Sequence, residues 1–431
     1  MADVRRTLDG VWRIESARLI AGIARVVRDV GLAEDLAQEA FVAALERWPE
    51  SGVPDNPGAW LMATAKHRAI DRLRRAGVHD RKTRELAREI ERRGEYENPD
   101  LAAAIDDPFD DDLLRLIFTT CHPVLSTDAR VALTLRLLGG LTTTEIARAY
   151  LVPEATVAQR IVRAKRTLSA ARVPFEIPER QELGGRLASV LEVVYLVFNE
   201  GYAATAGERW LRPELLEEAL RLGRVLAELL PATAEGHGLV ALMELQASRA
   251  RARIGPGGAP VLLLDQDRAR WDWMLVERGL AALERAYRTG DGVGPYTLQA
   301  AIAACHARAR TAEDTDWERI VALYDGLVQL MPSPVVELNR AVAIGMAWGP
   351  AAALELVDAI SEDPALRGYH HLPTVRGDLL EKLGRKAQAG VEFQRAAAMT
   401  GNARERAVLL ERMAACAPTN ATDGPSPRRE D

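Results

Sequence analysis

Apolar residues recur at spacings of three and four through almost the whole chain, and this constrains the fold more than any other feature. Leu19, Ile23, Val26, Val27 and Val30 show the pattern near the start, Leu133, Leu137 and Leu138 in the middle, and Leu215, Ala219, Leu222 and Leu226 further on. This is the period of helices that keep one face in a core, and the two-residue alternation of strands is absent. Residues 261–264 form a short apolar run after a Gly/Pro stretch, and support one short strand or a loop at most. The predicted class is all-α. At 431 residues the chain exceeds one ordinary core, since domains usually hold about 100–200 residues, so two or three helical domains are expected.

Breaks in the pattern set the boundaries. Residues 10–78 form one helical block, with a Pro/Gly interruption at 52–58 that separates two helices. Residues 79–112 read as a charged linker that ends in the acidic run Asp106-Asp107-Pro108-Phe109-Asp110-Asp111-Asp112, where proline among acids disfavours helix. A second block spans 113–175 and is closed by Pro174 and Pro178. A long helical region follows at 181–416, and 417–431 is a polar tail of disordered composition.

The third region hints at repeats. Ile320, Tyr324 and Leu327, then Ala353, Val357 and Ile360, then Ala389, Phe393 and Ala396 share offsets of four and three. The sets lie near the ~34-residue period of tetratricopeptide repeats. Gly377 and Leu380 fall where the first helix of such a repeat has a small and then a large residue. An irregular helical bundle accounts for the same faces.

The formal charge of −6 excludes general polyanion binding, so a nucleic-acid site must be a local basic patch. Cys121, Cys305 and Cys416 are far apart in sequence and form no C-x-x-C, which argues against a disulfide framework or a cysteine zinc site and fits the reducing cytoplasm. Asp3, Arg5, Arg6 and Asp9 rule out a signal-peptide reading of the N-terminus. The apolar run at 190–198 is far short of the ~20 residues of a membrane span, so no membrane association is expected.

The clearest motif lies at 141–168. Thr142-Thr143-Thr144-Glu145 is a capping box, in which Thr142 and Glu145 satisfy each other's free backbone donors. A short helix with Ile146, Ala147 and Tyr150 follows, then Leu151-Val152-Pro153, with Pro153 suited to the first position of a second helix and Glu154 to its positive end. In that second helix Val157, Ile161, Ala164 and Leu168 form the predicted buried stripe. Thr156, Gln159, Arg160, Arg163 and Arg166 point elsewhere. This is a helix-turn-helix whose second helix can enter a major groove, where arginine reads guanine edges or neutralises phosphate.

A second basic segment runs over 60–93, with 11 basic and 5 acidic residues within 66–93. With Trp60 at its start, such a segment can hold phosphates and stack an unpaired base; a solvated face accounts for it equally well. Ala33-Glu34-Asp35-Leu36-Ala37-Gln38-Glu39-Ala40-Phe41 is an acidic helix start whose exposed carboxylates can pair with a basic partner helix. The D-D-x-x-D at 106–110 matches a magnesium motif, but Pro108 interrupts it and no second aspartate cluster of that type accompanies it. His122, His306, His370 and His371 lack H-E-x-x-H spacing, and the chain has no P-loop and no G-x-S-x-G. No catalytic residue, metal or cofactor is therefore expected, and His370-His371 reads as a polar loop. Residues 198–202 and 265–268 are polar islands, read as buried hydrogen-bond networks or a ligand pocket.

Taken in order, the acidic helix, Asn56-Pro57-Gly58-Ala59-Trp60-Leu61, Arg68-Ala69-Ile70-Asp71-Arg72-Leu73-Arg74-Arg75, an acidic linker and the helix-turn-helix resemble the extracytoplasmic-function (ECF) sigma factors of RNA polymerase. Phe118-Thr119-Thr120-Cys121-His122-Pro123, the 198–202 and 265–268 islands and Leu338-Asn339-Arg340-Ala341-Val342 extend the likeness to the ECF group with a tetratricopeptide-like C-terminal domain. Thr120 stands where that group often has the first of two cysteines.

The resemblance implies that 10–78 is sigma region 2, with Asp35, Leu36, Gln38, Glu39 and Phe41 docking on core RNA polymerase. It assigns the minus-10 element of promoter DNA to Asn56, Trp60, Lys66, Arg68, Asp71, Arg72, Arg74 and Arg75. It makes 113–175 region 4, with Thr144, Glu154, Thr156, Gln159, Arg160, Arg163, Lys165 and Arg166 on the minus-35 element. It gives 181–416 a regulatory role, through contact with the sigma regions or with the polymerase.

Overall fold

The structure is a computed structural model, and it describes residues 2–75, 109–150, 152–203, 206–207, 211–255, 261–290 and 292–417. Most of the charged linker and nearly all of the polar tail lie outside the described residues, as do the basic positions from 81 to 93. The all-α expectation holds. Among the described residues the strands are two-residue segments, β1 (Ala206–Gly207) and β2 (Gly401–Asn402), paired in parallel. The 261–264 run ends in a single 3-10 turn, Leu263–Asp265. No helix among the described residues is long and apolar enough to cross a membrane.

The chain divides into two compact units. The first holds residues 1–199 and 214–231. Its opening helices are α1 (Ala2–Val27), α2 (Val30–Ser51) and α3 (Pro57–Arg75). Asp29 caps α2 by accepting from the Leu32 N–H at 2.8 Å, and Asn56 caps α3 by accepting from the Ala59 N–H at 3.0 Å. Leu19, Ile23, Leu36, Ala40, Leu61, Ala65 and Ala69 are all buried. Trp48 closes the end of this core edge-on to Trp60, with centroids 5.4 Å apart.

Helices α4 (Phe109–Thr120), α5 (Thr127–Leu137), α6 (Thr143–Tyr150) and α7 (Glu154–Ala170) follow. α4 begins inside the segment read as linker. Asp112 is buried, with ion pairs to Arg25 at 3.0 Å and Arg115 at 2.5 Å. The acidic run therefore ends as a structural contact against α1. The first part of α8 (Arg180–Tyr202) and nearly all of α9 (Pro213–Leu229) complete the unit. Ser189 Oγ donates to the Cys121 carbonyl at 2.6 Å, Arg186 to that of Phe118 at 2.9 Å, and Arg221 to that of Leu138 at 2.6 Å.

The second unit holds 200–213 and 232–431. It contains α10 (Ala234–Ala247), α11 (Trp273–Arg288), α12 (Pro295–Arg308), α13 (Trp317–Leu330), α14 (Pro334–Trp348), α15 (Pro350–Ile360), α16 (His371–Lys382), α17 (Lys386–Met399) and α18 (Ala403–Ala415). Helices adjacent in sequence pack together. Ile320 and Leu327, Ala353 and Val357, and Ala389, Phe393 and Ala396 are buried at the repeated offsets read from the sequence. The 265–268 island and the part of the 198–202 island that lies in this unit form hydrogen-bond networks. Glu200 pairs with Arg212 at 2.5 Å, Arg253 stacks on the Tyr202 ring 3.8 Å from its centroid, and Arg268 donates to the carbonyls of His306 and Ala309.

Candidate nucleic-acid interface

The helix-turn-helix forms as its residues dictate. The Thr142 N–H donates to Glu145 Oε2 at 2.7 Å and the Glu145 N–H to Thr142 Oγ1 at 3.1 Å, which closes the capping box. Pro153 stands at the N-cap, one residue ahead of its predicted place, and α7 starts at Glu154. Val157, Ile161, Ala164 and Leu168 are the buried residues of α7. Gln159, Arg163 and Arg166 are exposed and Thr156 is half-buried. At spacings of three and four these four share one helix face.

Four other predicted contacts already have protein partners. Thr144 Oγ1 donates to Glu154 Oε1 at 3.0 Å, which ties the first turn of α6 to the first turn of α7. Arg160 pairs with Asp128 at 2.9 Å. Lys165 reaches out of the recognition helix to Glu34 on α2, with Nζ 2.5 Å from Oε2 and 3.9 Å from the nearer Asp35 oxygen.

Glu34 is the centre of a buried ion cluster that periodicity did not reveal. Its place in the acidic helix start predicts an exposed carboxylate, yet it is only 3% exposed. Arg136 Nε donates to its Oε1 at 2.7 Å and Gln38 Nε2 to the same atom at 2.7 Å. Arg136 also donates to the Leu141 carbonyl at 3.2 Å, at the start of the helix-turn-helix. The only local signal was a third acid in the Glu34-Asp35-Glu39 set, and both cations come from helices remote in sequence.

On the rest of α2, Asp35 and Glu39 are exposed one turn apart and Gln38 is half-buried. Phe41 packs on Trp12 with ring centroids 4.9 Å apart. Leu36 departs from its assignment. It is 2% exposed and fills the three-helix core, so it has no surface to offer a partner.

Helix α3 buries Leu61, Ala65, Ala69, Ile70 and Leu73. Asp71, Arg72, Arg74 and Arg75 are exposed, and Lys66 and Arg68 are half-exposed. Arg68 lies 3.3 Å from Glu39, so the basic face of α3 and the acidic face of α2 adjoin. Trp60 is half-buried against Trp48, and the Asn56 side-chain oxygen is held by its cap.

Cys121 and His122 each have partners of their own. Burial pushes the Cys121 thiol up, and its sulfur lies 3.4 Å from the Thr134 hydroxyl. His122 Nδ1 accepts from the Val124 N–H at 3.1 Å, and burial, then the nearby Arg186, holds its imidazole below the usual range.

Comparison with known proteins bears on both blocks. Residues 14–78 match Sigma-70 region 2, residues 115–168 match Sigma-70 region 4, and residues 186–287 match a family of unknown function (DUF6596). An uncharacterized protein of Rhizobium meliloti (strain 1021) is 44% identical over 90% of this chain and 91% of its own length. The ECF RNA polymerase sigma factor SigK of Mycobacterium bovis (strain BCG / Pasteur 1173P2) is 31% identical over 35% of this chain and 78% of its own length. The ECF RNA polymerase sigma factor SigC of Mycobacterium tuberculosis (strain CDC 1551 / Oshkosh) is 29% identical over 41% of this chain and 84% of its own.

Proposed function

Because the chain belongs to the ECF RNA polymerase sigma factors, we propose that α2 docks on core polymerase, that α3 and α7 read the minus-10 and minus-35 elements, and that the C-terminal helices regulate both. The observation that carries this reading is the surface of α7. Its apolar stripe is fully used in packing while Gln159, Arg163 and Arg166 remain exposed on one face. A recognition helix needs that division between core and groove. On α2, Asp35 and Glu39 present a paired carboxylate face of the kind that complements a basic partner.

The Glu34 cluster adds a condition. Lys165 is held at α2, beside Asp35, so it reaches DNA only when the two blocks part. A regulatory role for the C-terminal helices is supported by 180–199 and 214–231, which belong to the same compact unit as the DNA-facing blocks. The tetratricopeptide-like character of the rest is supported by its successive packed helices, since such arrays form concave surfaces for peptides.

Co-elution with core RNA polymerase on size exclusion tests docking. The wild-type chain is expected to co-elute, and an Asp35→Arg/Glu39→Arg variant is expected not to. If wild type fails to bind polymerase while binding duplex promoter DNA, the chain acts as an ordinary helix-turn-helix regulator. Arg163→Ala/Arg166→Ala is expected to keep polymerase binding and to lose roughly tenfold or more in promoter affinity, with a shallower salt dependence. Removal of residues 232–431 is expected to change promoter-specific transcription; unchanged output from a stably folded truncation removes the regulatory role.

A further inference from the structure

We propose that His370, His371 and Glu405 form a binding site for one divalent transition-metal ion of the zinc class. One ligand atom from each lies within 4.8 Å of the others, and this is the one such group of three among the described residues. Glu405 is remote in sequence from the His-His pair and no H-E-x-x-H spacing links them, so the pattern of residues alone does not point to the site. The fold brings them together. α16, α17 and α18 pack in succession, so the starts of α16 and α18 lie at the same end as the finish of α17. His370 and His371 stand at the start of α16, and Glu405 is in the first turn of α18.

The geometry suits a four-coordinate ion. Metal–donor distances of about 2.0–2.2 Å place tetrahedral donors about 3.3–3.6 Å apart. His370 Nε2 already lies 3.0 Å from Glu405 Oε2, and the two imidazole centroids are 4.0 Å apart. The His370 and Glu405 side chains are 22% and 17% exposed, so an ion can reach them from solvent.

The carboxylate is oriented from behind. Thr400 Oγ1 donates to Glu405 Oε2 at 2.5 Å, and Asn402 Oδ1 accepts from the Arg404 and Glu405 N–H groups. This is the supporting shell that a metal carboxylate requires. Tyr369 packs edge-on to His371 with centroids 5.1 Å apart and fixes the exposed ring. Arg406, in the same turn, donates to the Ala397 and Thr400 carbonyls.

The donor set also selects the ion. Two helix N-termini face the site, and their positive ends disfavour a cation held by electrostatics alone. Calcium and magnesium, which need several hard oxygen donors, are excluded by two imidazoles and one carboxylate. Zinc takes this set and leaves a fourth position for water or an exchangeable ligand. Bound there, the ion would staple the start of α18 to the start of α16 across the end of α17.

The test is zinc titration of the full-length, chelator-stripped chain in competition with a chromophoric zinc indicator, followed by cobalt(II) absorption. Wild type is expected to take up one equivalent of zinc and to give the intense visible bands of four-coordinate cobalt without thiolate charge transfer. His371→Ala, at an exposed position, and Glu405→Gln are each expected to weaken binding more than tenfold, while His122→Ala binds as wild type does. Circular dichroism of the metal-free variants checks that they fold. The proposal fails if wild type retains no zinc, if both variants bind as tightly as wild type, if His122→Ala alone loses binding, or if cobalt shows thiolate bands. In the first case His370 and Glu405 are simply an ion pair.

Discussion

The two units cross-link their helices over different distances along the chain. In the first, Glu34 near the start of the chain closes on Arg136 and Lys165 from helices far along it, so a buried charge cluster ties α2 to α5 and α7. In the second, helices close in sequence interlock by size, as where the fully buried Phe393 ring of α17 lies against Gly377 of α16, and ion pairs such as Arg412 of α18 to Asp378 and Glu381 of α16 reach only to nearby helices. A charge cross-link is specific and fails badly when one partner is lost, because the others stay buried and uncompensated. Size packing loses a few kcal/mol by degrees and needs no distant partner. The unit that carries the region 2 and region 4 matches is thus the one tied by buried charges between remote segments.

Breaking the first arrangement gives the largest expected effect. Glu34→Ala leaves Arg136 and Lys165 without their carboxylate. Removing one partner of a buried pair destabilises by about 3–5 kcal/mol, and the lower end applies because Arg136 and Lys165 keep 21% and 20% side-chain exposure. Urea unfolding at neutral pH measures it. A loss below about 1 kcal/mol would place the cluster with ordinary surface pairs. In that case the contrast between the units would vanish.

The second unit has its own electrostatic weak point, which sharpens the comparison. His306 is 8% exposed and edge-on to Trp317, and burial, with Arg249 and Arg268 as further causes, lowers its pKa to about 4. The ordinary imidazole value is about 6.5, so between these values the unfolded chain binds a proton that the folded chain refuses. Stability from this group is complete above pH 6.5 and is lost as pH falls toward 4, by roughly 3 kcal/mol in all. Unfolding of wild type and His306→Gln at pH 7 and pH 4.5 isolates it. The two should differ in acid sensitivity, with the variant flatter. Parallel pH profiles would show that His306 takes up its proton in the folded state as easily as in the unfolded chain.

What the sequence made legible follows the same division. Local devices were readable: the capping box at Thr142 and Glu145, the stripe Val157, Ile161, Ala164 and Leu168, and the repeated offsets of the second unit. Each is set by residues within a turn or two of one another. What escaped was every contact whose partner lies far away in the chain. Glu34 looked like one more solvated acid, Lys165 like one more groove cation, and Asp112 like linker. Leu36 shows the same limit from the other side. The family likeness supplied its position in the docking helix, while only packing shows that it faces the core.

The smallest effect tests the packing that sequence spacing foretold. A Cβ added at Gly377 would lie 2.7 Å from one Phe393 ring carbon and 2.9 Å from another. A long flexible side chain would yield at that distance, but this ring is rigid and 0% exposed. The ring is also confined by the Arg412 guanidinium, which sits 4.2 Å from its centroid and is held by Asp378 at 2.9 Å and Glu381 at 2.5 Å. Overpacking of this kind costs about 1–3 kcal/mol. Alanine's better helix propensity offsets up to about 1 kcal/mol of it. Gly377→Ala is therefore expected to destabilise by about 1–2 kcal/mol, read as a lower urea midpoint with unchanged slope. Adding Phe393→Leu to Gly377→Ala should cost less than the sum of the two single changes, because the smaller side chain vacates the contested space. Strict additivity would mean that the two residues do not share it, and the size-packed half of the comparison would then need another basis.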